Sequence, residues 1–264
     1  MRVLTTQATG TGKNLLINAC FRINQRGYVS GTATAAANEY TLDRWRVVVS
    51  GESITFPALA VSNTVTCPAG GLAQEIEGAN IYGGEYVVSW EGSAVCSVAG
   101  VVREKGEKFN LSGSVDCVVL FSGGTVVRPI LQAGAVAREF YYRAISEELV
   151  LSKRFYELLS LPNNSIKAMY SSVSTRFSGV AHVWEVEKRV VPAIQLESSY
   201  GAFYWSVPAF AAYSENSTAG ISISGQTKNA FKVYQTRQVG GSEPVSGQVY
   251  SLQASSEWSI DAEM

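Results

Sequence analysis

The chemistry open to this chain is bounded by the residues it holds few of. It contains one histidine, His182, and three aspartates, Asp43, Asp116 and Asp261. A single histidine excludes a multi-histidine metal site and leaves one candidate for a Ser-His or Cys-His pair. His182 alternates with Trp184, and no G-x-S-x-G elbow marks a nucleophile, so it reads as a structural histidine. Glu85 and Glu91 flank an aromatic stretch and are of the residue type a two-carboxylate glycosidase uses. Their even spacing puts them on one strand face, opposite Tyr86 and Trp90, so both read as solvated if the aromatic face is core. The stretch Thr9-Gly10-Thr11-Gly12-Lys13 is Gly-rich like a phosphate loop, but it lacks the preceding strand and the full spacing. Cys20, Cys67, Cys96 and Cys117 form no CxxC pair, which removes zinc-ribbon and thioredoxin readings. Buried free thiols are expected instead.

Two clusters can recognise a ligand. Arg26, Asp43, Arg44 and Trp45 combine charge with an indole. As a glycan site, Trp45 would stack on a sugar and the charged groups would bond hydroxyls. As structure, Trp45 would start an alternating strand with Val47 and Val49 and pack inward. Asp43 and an arginine would then tie a loop to the fold. Residues 200–213 gather Tyr200, Phe203, Tyr204, Trp205, Phe210 and Tyr213 around Pro208. The expectation is an irregular, partly exposed stretch. It would serve as a ligand surface, as a subunit interface or as core.

The whole-chain figures narrow the class. Over 264 residues, Lys plus Arg number 21 and Asp plus Glu 22, and only 16 % of residues are charged. That balance argues against nucleic-acid binding, which needs a dense basic surface. No apolar run reaches the ~20 residues of a membrane span, so no membrane insertion is expected. Three aspartates do not furnish an acidic calcium loop, and no cofactor is expected. The opening residues carry no apolar signal core.

The elements that would position these residues are mostly strands. Ile17, Ala19, Phe21 and Ile23 alternate with Asn18, Cys20, Arg22 and Asn24; Tyr86, Val88 and Trp90 alternate with Glu85, Ser89 and Glu91, with Val87 the exception; and Val115, Cys117, Val119 and Phe121 put a third apolar line on one strand face. This period-two pattern between Gly-rich turns predicts an antiparallel β-sandwich. One helix is predicted over 145–159, with Ser146 as N-cap, Glu147 and Glu148 in its first turn, and a Lys153–Glu157 pair. It should stop before Pro162. Strands resume after Ser165 with Val180 to Val186, Phe231 with Val233, and Trp258 with Ile260. The expected layout is a flexible arm (1–13), a sandwich (14–143), helix and linker (144–164) and a small β domain (165–264). The last is short of apolar surface, so burial against neighbouring copies is expected.

Three ordered stretches resemble a known family. The first is Asn14-Leu15-Leu16-Ile17-Asn18 with Phe21, Ile23, Gln25-Arg26-Gly27, Tyr40-Thr41 and Asp43-Arg44-Trp45. The second is Ile130-Leu131-Gln132 with Gly134, Ala137, Phe140 and Arg143. The third is Glu147-Glu148-Leu149 with Leu151 and Arg154-Phe155-Tyr156. Together they resemble tail-fibre and receptor-binding modules of tailed bacteriophages. The resemblance implies a jelly-roll sandwich like a carbohydrate-binding module, a linking helix and a C-terminal β domain. It further implies a virion protein assembled in the host cytoplasm, a homotrimer, with other tail, baseplate or capsid proteins as partners and a host surface polysaccharide as ligand. Arg26, Asp43, Arg44 and Trp45 carry the fold signature. Tyr200, Phe203, Tyr204, Trp205 and Tyr213 are the candidate glycan or interface residues. No enzymatic activity is expected. A rival reading keeps the fold and trimer but assigns a capsid decoration, head-fibre, baseplate or collar role without a receptor. A depolymerase would need a long repeat body, and no repeat of 20–50 residues is visible.

Overall fold

The computed structural model describes residues 12–57, 62–161, 167–171, 176–200, 204–207, 210–214, 221–224, 227–236, 249–252 and 255–263. The chain divides into two units, Met1–Ser152 and Lys153–Met264. It is mainly β, and the expected class holds.

The N-terminal unit carries β1 (Glu39–Tyr40), β2 (Arg46–Val47), β3 (Val65–Thr66), β4 (Leu72–Ile76), β5 (Gly84–Glu91), β6 (Val95–Val98), β7 (Val101–Arg103), β8 (Lys108–Leu111), β9 (Cys117–Ser122) and β10 (Thr125–Ala133). They form two antiparallel sheets, β1-β2-β4-β9-β6-β7 and β3-β10-β5-β8. The order β4-β9-β6-β7 facing β3-β10-β5-β8 is a jelly roll, two Greek keys in which early strands pair with late ones. Alternate residues fill the interior, as the period-two pattern requires. Tyr86, Val88 and Trp90 from β5 meet Cys117, Val119 and Phe121 from β9 in one buried cluster. Trp45 sits 5.0 Å from Phe21 and 6.2 Å from Phe121, and Trp90 lies 5.6 Å from Phe121, centroid to centroid. The β5–β6 turn needs a glycine. Gly92 has φ +104°, and a Cβ there would lie 2.2 Å from the Thr125 carbonyl oxygen.

Three expectations change. Residues 17–24 are not a strand; a turn spans 17–20, although Ala19, Phe21 and Ile23 are buried as the alternation implies. Val115 precedes β9 and is 55 % exposed, so it is not part of the interior row. The helix α1 is shorter, Ile145–Lys153, and starts before Ser146, which therefore lies in its first turn rather than capping it.

The chain leaves α1 for a strand because long-range pairing outweighs local helical preference. In the C-terminal unit β11 (Tyr156–Leu161) pairs with β20 (Ser255–Asp261), with Tyr156 opposite Asp261 and Leu159 opposite Trp258. β14 (Ala193–Tyr200) completes this three-stranded sheet in the order β11-β20-β14. A seven-stranded sheet runs β16-β15-β19-β12-β13-β18-β17. Its strands are β12 (Lys167–Ser171), β13 (Arg176–Val183), β15 (Tyr204–Val207), β16 (Phe210–Ser214), β17 (Ile221–Ser224), β18 (Ala230–Thr236) and β19 (Val249–Leu252). The expected strands at Phe231/Val233 and Trp258/Ile260 are β18 and β20. Trp184 falls just after β13, buried, rather than within it.

Beside β11 lies a buried ion pair. Lys188 is fully buried and its Nζ is 2.8 Å from Glu157 Oε2. It also donates to the Lys153 carbonyl and lies 5.0 Å over the Trp184 ring. Burial pulls its pKa below the usual lysine value, opposed by Glu157. Lys153 and Glu157 do pair, at 3.3 Å, but from a helix end to a strand.

Candidate functional site

The fold-signature residues meet at one edge of the sandwich, where side chains replace a missing strand. Asn18 has φ +53°, a conformation Asn tolerates better than most residues. Its Oδ1 accepts from the backbone N–H groups of Arg22 (2.8 Å) and Ile23 (2.9 Å). Its Nδ2 donates to the carbonyls of Ile23 (2.9 Å) and Asp43 (3.0 Å). One side chain thus satisfies four backbone groups that a strand partner would otherwise take. Gln74, on β4, does the same for Ile17, accepting its N–H at 2.7 Å and donating to its carbonyl at 2.8 Å. Asn14 Oδ1 accepts from Leu131 N–H at 3.0 Å, and its Nδ2 donates to the Pro129 carbonyl at 2.9 Å.

Asp43, Arg44 and Trp45 are buried in this network. Asp43 accepts from Gln25 twice, from its N–H at 3.0 Å and its Nε2 at 2.6 Å. Arg44 has φ +72° and donates to the Glu75 carbonyl. Trp45 is 0 % exposed, and its indole N–H donates to the Asn18 carbonyl at 3.0 Å. No face of Trp45 is left for a sugar, so of the two readings of this cluster the structural one describes Trp45. Arg26 lies with its guanidinium 5.2 Å over the Tyr40 ring.

The other resemblance segments close on the same place. Arg143 is buried and donates through Nη1 to the Leu16 carbonyl at 3.0 Å and to Glu148 Oε1 at 2.9 Å, and through Nη2 to the Asn14 carbonyl. Glu148, from α1, accepts through its other oxygen from Asn18 N–H at 2.7 Å. Gln132 Oε1 accepts from Arg138 N–H at 3.2 Å. Stretches more than a hundred residues apart in sequence are therefore one hydrogen-bonded knot. Most groups of such buried polar networks are paired because an orphaned group costs about 1–3 kcal/mol. Gln74 was not singled out from sequence. The signal was there: an uncharged polar residue inward in the otherwise apolar start of Leu72–Ile76.

The aromatic segment is a β-hairpin rather than an irregular stretch. Tyr200 closes β14, Tyr204 and Trp205 lie in β15, and Phe210 and Tyr213 lie in β16, with Trp205 opposite Tyr213 and Val207 opposite Phe210. The hairpin forms one margin of the seven-stranded sheet, with β16 outermost. Phe203 and Pro208 lie outside the described residues. His182 sits in β13 opposite Phe231.

Glu85 and Glu91 lie on the surface, each with its own cation. Lys108 Nζ is 3.8 Å from Glu85, and Arg128 Nη2 is 2.5 Å from Glu91. Six residues of extended strand separate the two carboxylates by roughly 20 Å, well beyond the ~5–9.5 Å of a glycosidase pair. Arg128 reaches Glu91 from a bulge in β10, where its φ is +46° and the pairing with β5 shifts register.

All four cysteines are free and buried. Burial pushes the Cys67 and Cys96 thiols up to about 12 and Cys20 to about 11, and raises Cys117. Among the described residues no three His, Cys, Asp or Glu side chains gather as a metal site. The residues Thr9, Gly10 and Thr11 of the Gly-rich stretch lie outside the described residues.

No protein-family model, curated protein or solved structure matches the chain.

Proposed function

We propose that this chain is a non-enzymatic structural protein of a tailed-bacteriophage virion, of the tail-fibre or receptor-binding type, acting as a homotrimer that contacts a host surface glycan. The observation that supports it most is the knot. The three stretches that resemble phage receptor-binding modules come together in one hydrogen-bonded network. Asn14, Asn18, Asp43, Trp45, Arg143 and Glu148 hold one another at one edge of a jelly roll. The jelly roll is also the fold that the resemblance implies.

In this reading the sandwich is a rigid platform and the ligand contacts are weak and repeated. One saccharide contact at ~1 mM is worth about −4 kcal/mol. Several copies on a particle raise avidity ~10²–10⁴-fold where the geometry lets them engage together. Adsorption then needs no tight monomeric site. The capsid-decoration, head-fibre, baseplate or collar reading stays as the alternative.

Virions that lack the protein separate the two. Loss of adsorption to host cells, with intact particles, is the expected result. Particles that assemble and adsorb normally without it would overturn the receptor-binding role.

A further inference from the structure

Beside the knot is an open cavity of about 480 Å³, lined by Lys13, Arg138, Glu139, Tyr141 and Glu147 over a floor of Asn14 and Arg143. We propose that this cavity is a saccharide-binding subsite of the N-terminal unit. The inference deepens the glycan-contact reading above and rests on it.

The charges at the rim carry the argument. Lys13, Arg138, Glu139 and Glu147 are all exposed, and among the described residues none has an ion pair or a side-chain hydrogen bond. Two cations and two carboxylates therefore border one cavity without neutralising each other. A phosphate would meet the carboxylates, and an amine would meet the cations. A polyol fits both, since each hydroxyl donates to a carboxylate and accepts from a cation. Tyr141 adds the apolar half of the match. It is 72 % exposed, and its ring offers a flat surface to the C–H face of a pyranose.

The floor is preorganised. Arg143 is fixed by the Leu16 and Asn14 carbonyls and by Glu148, and Asn14 is fixed by β10. Neither must reorganise when a ligand enters, which lowers the entropic cost of binding. The volume lies within the ~300–1,000 Å³ of small-molecule sites. Arg138 joins the knot through its backbone N–H alone and no rim side chain belongs to it, so these side chains can be changed without unfolding the sandwich.

The test uses the full chain and oligosaccharides released from the host cell surface, read by saturation-transfer NMR, with inorganic phosphate as a second probe. Saturation transfer to a saccharide is expected, with a Kd near ~1 mM, at least tenfold weaker binding in Tyr141→Ala, and weaker binding in Arg138→Ala and Glu147→Gln. Saccharide binding that all three variants retain would overturn the subsite and leave the glycan-contact reading standing. Binding of phosphate but not saccharide would overturn it too. A chain that binds neither the oligosaccharides nor host cells would overturn both.

Discussion

Asn18 is the residue on which the knot depends most, and its replacement has a calculable effect. Its side chain serves two backbone N–H groups and two carbonyls, all in a site where Asn18 is 1 % exposed. In Asn18→Ala these groups lose their partners. Orphaning a buried polar group costs about 1–3 kcal/mol, and water entering the vacated space recovers part of it. A net loss of about 4 kcal/mol follows. Alanine at φ +53° adds roughly 1–2 kcal/mol that glycine would not. Asn18→Ala should therefore lose about 5 kcal/mol and Asn18→Gly about 4, against a typical domain stability of ~5–15 kcal/mol. Thiol labelling against urea is the assay. All four cysteines are buried and lie in the N-terminal unit, so their exposure reports that unit alone. An Asn18→Ala chain within about 1 kcal/mol of the parent would refute the hydrogen-bond reasoning. Equal losses for alanine and glycine would refute the backbone part of it.

Lys188→Met should destabilise the C-terminal unit by about 2–3 kcal/mol by leaving the buried Glu157 with Lys153 as its remaining cation, while the Lys188→Met/Glu157→Leu double variant recovers most of the loss; calorimetry of the full chain reads both. The buried thiols set an alkaline limit on the N-terminal unit. Below pH 9 both states hold the thiol protons, whereas above it the unfolded chain releases them and the folded chain, with Cys67 and Cys96 near 12, does not. The folded state then binds more protons, so stability falls as pH rises from 9, by about 1 kcal/mol per such thiol at pH 10; urea midpoints at pH 8 and 10 that coincide would contradict this. Light scattering should find about three times the 28.4 kDa chain mass, and a monomer at micromolar concentration would contradict the trimer.

Strands whose two faces differ were legible from sequence. Tyr86, Val88 and Trp90 are buried on β5 as their alternation implied, and Val87, the apolar exception, is buried as well. The same alternation misled at Ile17 to Ile23, because burial and strand pairing are separable. Ala19, Phe21 and Ile23 reach the core from a turn, since Asn18 and Gln74 supply the hydrogen bonds a neighbouring strand would give. The helix end at Lys153 was not legible because its cause is remote: Tyr156–Leu161 pairs with residues a hundred positions later. The hairpin in the aromatic stretch was not legible, because part of its pairing is remote in sequence: Trp205 and Ser206 lie opposite Leu252 and Ser251. The rim of the cavity left no sequence signal, since only the fold brings Lys13, Arg138 and Glu147 to one cavity.

The proposed role is contact with the host surface on behalf of a virion. The most direct measurement is the adsorption rate of the virus to its host cells in the presence of purified full-length protein. Adsorption should slow as the protein is added and approach zero when it saturates the cells. An adsorption rate unchanged at saturating protein would contradict that role.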